Sequence, residues 1–326
     1  MKQNILFILF VIVSSILWAG SIRHDVEDSL YMNLGNSSAY ASVGRFMGTT
    51  PTSSYSASGV LIASNWVLTA AHVVDQATSL NFTIGNTVYS STQWIAHSNW
   101  DGNASHGYDI ALVKLDTNVS GIVAAQRYKG TNETGKVATY VGYGMTGTGL
   151  TGATTFDAQK RAGQNVIDGG IRVGKTTGIL LSDFDNPLSS SDNSYGSSTP
   201  LGMEYLIAPG DSGGGVFIQE NGIDYLAGIN SFGWGKLDGN PDSDYGDVSG
   251  ATRVSIYNKW IDSIIGTTSD GGSTGGKGGG KPRTSLMMEL DMKEFDTSVP
   301  EPASILTFFV SCMIFFLARK KVKISD

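Results

Sequence analysis

Ser212 stands in the run Gly210-Asp211-Ser212-Gly213-Gly214-Gly215. A hydroxyl on such a glycine-rich turn can be presented as a nucleophile, provided that a base removes its proton. The base in turn needs a partner that fixes its tautomer and stabilises its cation. Four histidines are available as that base, His24, His72, His97 and His106, and all of them precede Ser212.

Chain order narrows the chemistry. Gly210, Ser212 and Gly214 satisfy G-x-S-x-G, the nucleophile elbow of lipases and esterases, but those enzymes run serine, acid, histidine. No histidine follows Ser212, so that reading fails. A subtilisin-like order needs Asp25 or Asp28 ahead of the base, and neither sits in a recognisable motif. The order histidine, aspartate, serine remains. WVLTAAH (Trp66 to His72), DIALVKL (Asp109 to Leu115) and GDSGG (Gly210 to Gly214) resemble, in that order, the three motifs of the trypsin/chymotrypsin family of serine proteases. Gly142-Tyr143-Gly144, Ser231-Phe232-Gly233, and Val254 and Tyr257 with Trp260-Ile261 are smaller echoes. The resemblance covers roughly residues 22 to 265. Asp75, Asp101 and Asp116 compete for the acid on position alone, but only Asp109 opens an apolar strand of the family's form.

The resemblance implies an all-β domain of two packed six-stranded-type β-barrels with a C-terminal helix. His72 and Asp109 would come from the first barrel and Ser212 from the second. His72 is then general base and later general acid, Asp109 its orienting partner, and Ser212 the attacking group. The amides of Gly210 and Ser212 would form the oxyanion hole. Leu206 falls at the floor of the pocket for the side chain before the scissile bond, which implies apolar or medium-sized substrates. Ser231, Phe232 and Gly233 would form the wall that pairs with an extended peptide. In the family a new N-terminal amine pairs with the aspartate before the nucleophile, here Asp211. A cut after Ser21 would make Ile22 that terminus. A catalytically silent relative using the same cleft for peptide or matrix binding is the competing reading.

The elements needed to position these groups can be read from patterning. Between residues 22 and 265 the apolar runs are short, rich in Val, Ile, Tyr and Thr, and separated by Gly, Asn, Asp and Ser clusters, as in an all-β domain. Thr252 to Ile265 reads as a helix, with Val254, Tyr257, Trp260, Ile261 and Ile264 on one face. The lone cysteine is Cys312, so the domain has no internal disulfide. Ser58 and Val73 stand where family members have a bridged cysteine pair, and Ala208 where another is common. No cofactor and no metal are expected. The acidic stretch Asp238 to Asp247 lacks the ligand spacing of a calcium loop and reads as solvated. A formal charge of −7 without a basic stripe excludes nucleic acid as a partner.

Both ends read as processing segments. Residues 1–21, with Lys2, an apolar run to Trp18 and then Ala19-Gly20-Ser21, have the form of a secretory signal for signal peptidase, cut after Ser21 or alternatively after Ala19; an uncleaved anchor is the further alternative. Residues 266–298 form a Gly-rich linker and a charged stalk. Residues 299–326 begin with Val299-Pro300-Glu301-Pro302, continue in an apolar segment 303–318 and end in a basic tail. At about 1.5 Å rise per residue the segment spans roughly 24 Å, short for a bilayer but workable with thinning. This tail resembles the PEP-CTERM sorting signal of Gram-negative bacteria. The resemblance implies recognition by an exosortase-type enzyme and residence in the cell envelope or outside it; a permanent membrane anchor is the alternative.

Overall fold

The computed structural model describes residues 20–266; the expectations for residues 1–19 and 267–326 lie outside the described residues. Among the described residues no helix is long and apolar enough to cross a membrane.

The domain is built on two large sheets. The first has seven strands in the order Thr87–Ser91, Ser79–Ile84, Val43–Thr49, Ser54–Ala63, Trp66–Thr69, Ala111–Lys114 and Gln93–Ala96. The second has eight. Seven follow in the order Arg161–Val166, Val137–Gly142, Gly215–Glu220, Ile223–Trp234, Val248–Arg253, Thr176–Asp183 and Gly169–Val173, and the short strand Gln126–Arg127 pairs with Ile223–Trp234. These counts replace the expected six and six. A four-stranded sheet, Gly152–Thr155, Thr146–Thr148, Gly20–Ile22 and Tyr205–Leu206, accounts for strands that the sequence pattern did not resolve.

Several apolar runs become strands buried along successive residues, while Ser79–Ile84 is buried on alternate ones. Trp66–Thr69 is buried at all four positions, as expected where both faces of a strand are covered. One core joins Phe46, Val60, Leu68, Phe82 and Leu112 to Phe217 and Leu226 of the second sheet and to Val254 and Ile261 of the C-terminal segment. A second core packs Tyr31, Tyr140, Leu180, Val216 and Ile218.

One helical expectation needs correction. Thr252 and Arg253 complete a strand, Val254–Tyr257 is a 3-10 turn, and only Asn258–Ile265 is α-helical. The β-ladder to Ile223–Trp234 outcompetes the helical periodicity at its start. A second helix, Asp28–Gly35, was not anticipated. Tertiary contacts hold it: Arg161, fully buried, grips Asp28 through Nε at 2.5 Å and Nη2 at 3.1 Å.

Candidate active site

Register brings the first two groups together. Trp66–Thr69 and Ala111–Lys114 run antiparallel with Thr69 opposite Ala111. The chain that leaves one strand towards His72 therefore emerges beside the chain that enters the other from Asp109. His72 lies on a single helical turn, Ala71–Val74. Its amide donates to Asp109 Oδ1 at 2.9 Å and its Nδ1 to Oδ2 at 2.7 Å. An ionised carboxylate only accepts, so Nδ1 carries the hydrogen and Nε2 of the neutral ring remains an acceptor. Among the described residues no hydrogen bond joins Nε2 to Ser212.

Asp109 has no exposed surface, and two groups from the second sheet also hold it. Ser231 Oγ donates to Oδ2 at 2.5 Å, and Thr252 Oγ1 donates to the Asp109 carbonyl at 2.9 Å. Ser231 occupies a bulge, between Asn230 opposite Ala251 and Phe232 opposite Gly250, which turns its side chain out of the ladder. Ser231 lies in the segment expected to pair with substrate through its backbone, and its hydroxyl is committed to Asp109. Burial opposes ionisation of Asp109, but the His72 charge and the donors around the carboxylate outweigh it and hold its pKa below the usual range. Burial likewise opposes the imidazolium of His72, yet the Asp109 charge and hydrogen bond outweigh it and raise its pKa.

Ser212 sits in the turn before Gly215–Glu220. Its carbonyl accepts from Ser58 N at 2.8 Å, and the following amide, Gly213 N, donates to Asn230 O at 2.8 Å. Gly210 has φ +98°, a conformation open in practice to glycine, and a Cβ there would lie 3.0 Å from Gly144 Cα. Among the described residues neither the Gly210 nor the Ser212 amide donates to an acceptor in the chain. Two such amides on one turn are equipped to receive an anion.

Leu206 is 1% exposed and packs with Phe184 and Tyr245. Phe232 lies against Gly250, where a Cβ would come within 2.3 Å of its ring, and Gly233 pairs with Ser249. Beyond Asn230, which still bonds to Gly213 and Gly214, the strand Ile223–Trp234 keeps a strand partner on one side only, leaving an edge that an extended peptide can pair with.

The Asp211 carboxylate is fully buried and accepts from Gly144 N at 2.8 Å, Ala208 N at 2.9 Å and Tyr205 Oη at 3.1 Å. Burial pushes its pKa up to about 6 against those hydrogen bonds. Ile22 is not among its partners. Ile22 ends its strand, opposite Tyr205 and Thr148, with its side chain 3% exposed in the second core. Gly20 is the residue beside this group: its amide donates to Met145 O at 2.5 Å, and a Cβ on it would fall 1.9 Å from Tyr205 Oη.

The remaining histidines stand apart from these groups. His97 packs between Tyr108, Tyr257 and Trp260, His24 Nδ1 meets Tyr245 Oη at 2.9 Å, and exposed His106 pairs with Asp101 at 2.7 Å. The acidic loop is less solvated than its sequence suggests. Asp242, Asp244 and Asp247 bring carboxylate oxygens within 4.8 Å of one another, and Asp247 is 2% exposed. Sequence reasoning missed Gly20, Tyr205 and Thr252, and saw in Ser58 only an absent cysteine.

A family model described as trypsin matches residues 34–261. Chymotrypsin-like elastase family member 1 from Canis lupus familiaris is 28% identical over 233 residues, covering 64% of this chain and 80% of that protein. The Rattus norvegicus protein of the same name is 27% identical, with 64% and 79% covered. Two solved structures share the fold at 20% identity. Neuropsin, a serine protease expressed in the limbic system of mouse brain, has a TM-score of 0.51 over 68% of this chain and 93% of its own. HL collagenase has a TM-score of 0.53 over 77% and 100%.

Proposed function

Since the chain belongs to the trypsin family of serine endopeptidases, we propose that it is an exported endopeptidase that hydrolyses peptide bonds through His72, Asp109 and Ser212. The observation that carries this reading is the pair His72 and Asp109. A fully buried carboxylate holds Nδ1 at 2.7 Å and leaves Nε2 free to accept a proton. His72 takes the Ser212 proton as Oγ attacks the carbonyl, and the Gly210 and Ser212 amides receive the developing oxyanion. His72 then protonates the leaving amine, and water resolves the acyl-enzyme by the same route. Donors of this kind contribute roughly 3 kcal/mol each in comparable enzymes. Leu206 favours an apolar or medium-sized side chain before the scissile bond, and the free edge at Ser231-Phe232-Gly233 takes the peptide backbone.

The test is labelling of the full chain with a fluorophosphonate, beside Ser212→Ala. One adduct on Ser212, absent from the variant, supports the reading. A folded chain that takes no label refutes it and leaves a silent peptide-binding relative.

Activation follows from Gly20 rather than Ile22. Signal peptidase cleavage after Ala19 would turn the Gly20 amide nitrogen into an ammonium beside Tyr205 and Asp211, giving this buried carboxylate a cation. N-terminal sequencing of active enzyme that begins at Ile22 would sink this assignment. A folded part that then covers 20–265 rather than the expected 22–265, a linker over 266–298 and an exosortase-directed tail over 299–326 complete the reading. They place the enzyme in the envelope of a Gram-negative cell or outside it, and the mass of the exported protein tests whether the tail is removed.

A further inference from the structure

Ser58 is fully buried on the strand Ser54–Ala63 of the first sheet, yet three of its contacts reach the loops of the second. Its amide donates to the Ser212 carbonyl at 2.8 Å. Its hydroxyl donates to the Gly210 carbonyl at 3.0 Å and accepts from the Tyr143 amide at 2.9 Å. Its own carbonyl accepts from Thr69 Oγ1 at 2.9 Å, and Thr69 lies three residues before His72. One residue thus ties the histidine segment to the turn that carries the serine.

The hydroxyl holds the carbonyl side of the Gly210–Asp211 peptide, whose amide side is held within the turn by Asp211 N donating to Ala208 O at 2.9 Å. Gly210, at φ +98°, has no side chain to resist rotation of its flanking peptides. Its neighbours are fixed from segment 143–145: Met145 N donates to Pro209 O at 2.6 Å and Gly144 N to Asp211 Oδ1 at 2.8 Å. The third contact of that series, Tyr143 N towards Gly210 O, is made only through Ser58 Oγ. A hydroxyl both donates and accepts, so it can relay between an amide and a carbonyl where an alkyl group cannot. The Gly210 carbonyl shares its peptide plane with the Asp211 amide, between the two amides that would receive the oxyanion.

We propose that Ser58 is a positioning residue for peptide hydrolysis: by bridging the Gly210 carbonyl and the Tyr143 amide, its hydroxyl holds the Gly210 and Ser212 amides in the orientation that receives the oxyanion. In this cysteine-free domain the brace on the oxyanion turn is made of hydrogen bonds. The proposal rests on the assignment of Ser212 as nucleophile.

The test uses the full-length processed enzyme with Ser58→Ala and Ser58→Cys. Active sites are counted by fluorophosphonate titration to completion, at a temperature where each variant is folded by circular dichroism. A misaligned turn loses transition-state binding and spares substrate binding. Ser58→Ala should therefore lower kcat per titrated site about ten- to hundredfold, with KM within about threefold. A peptide boronate, whose tetrahedral adduct places an oxygen on the same amides, should lose affinity by the same factor, while a cleaved product peptide should bind as before. Ser58→Cys, whose thiol is a weaker donor, should fall between. Unchanged kcat per site in Ser58→Ala, or a loss confined to melting temperature, would overturn the proposal. If Ser58→Ala does not fold, wild-type kcat in Ser58→Cys overturns it instead. Wild-type protein that takes no label would undo the nucleophile assignment rather than this one.

Discussion

Replacing Asp109 by Asn changes one atom and leaves the site two ways to rearrange. The carboxylate receives three side-chain and backbone donors: His72 N on Oδ1, and His72 Nδ1 with Ser231 Oγ on Oδ2. If the amide oxygen takes the Oδ2 position, its NH2 faces the His72 amide, donor against donor, in a fully buried place. If the NH2 takes the Oδ2 position instead, the oxygen still accepts from His72 N. The NH2 can then donate to Nδ1, and Ser231 can reverse its hydroxyl to accept. Only this second arrangement satisfies every group, and buried groups left unsatisfied cost about 1–3 kcal/mol each. It moves the ring hydrogen to Nε2, so the face offered to Ser212 becomes a donor and cannot take a proton. The expected result is a folded protein with kcat/KM reduced on the order of 10⁴ at neutral pH, about 5.5 kcal/mol of activation free energy, as for a triad with the wrong tautomer. Peptide hydrolysis with circular dichroism alongside measures it, and imidazole 15N shifts report the tautomer. A fall of less than tenfold in a folded variant would refute the reasoning.

Three other outcomes follow from the same geometry. Protonated His72 cannot act as base, and its pKa is raised by Asp109 after burial is overcome, so the acid limb of kcat/KM should have its midpoint above the usual imidazole value of about 6.5. A midpoint below that value would count against the pair. Arg161→Met leaves Asp28 and Asp157 buried without their partner and should cost about 3–5 kcal/mol. That is a fall on the order of 10 °C in melting temperature for a domain of this size, which calorimetry can read; an unchanged melting temperature would show the ion pairs to be dispensable. Gly213→Ala places a Cβ 2.0 Å from Thr69 Oγ1 and 2.2 Å from Ser58 O at φ +82°, so about 2 kcal/mol or more of stability should be lost. A variant that melts like wild type would contradict the close approach of these two segments.

What the sequence determined by itself is what contiguous residues encode. WVLTAAH, DIALVKL and GDSGG each carry their chemistry within a few positions, and their order removed the lipase reading before any contact was known. The short β-branched runs likewise fixed an all-β class, because strand patterning is local. Tertiary structure alone decided the rest. Whether Thr252 belongs to a helix or a strand depended on a ladder partner in Ile223–Trp234. That Ser231 serves Asp109, across 122 residues of sequence, depended on a bulge. That Gly20 lies against the Tyr205 hydroxyl, while Ile22 pairs with the Tyr205 backbone, depended on the register of a four-stranded sheet, since a shift of two residues moves one side chain out of a site and another into it. Ser58 looked like an absence because periodicity reports which face a side chain occupies, not which carbonyl from another sheet comes to meet it. Hydrogen bonds between distant segments are set by the packing of whole sheets, and no run of neighbouring residues contains that information.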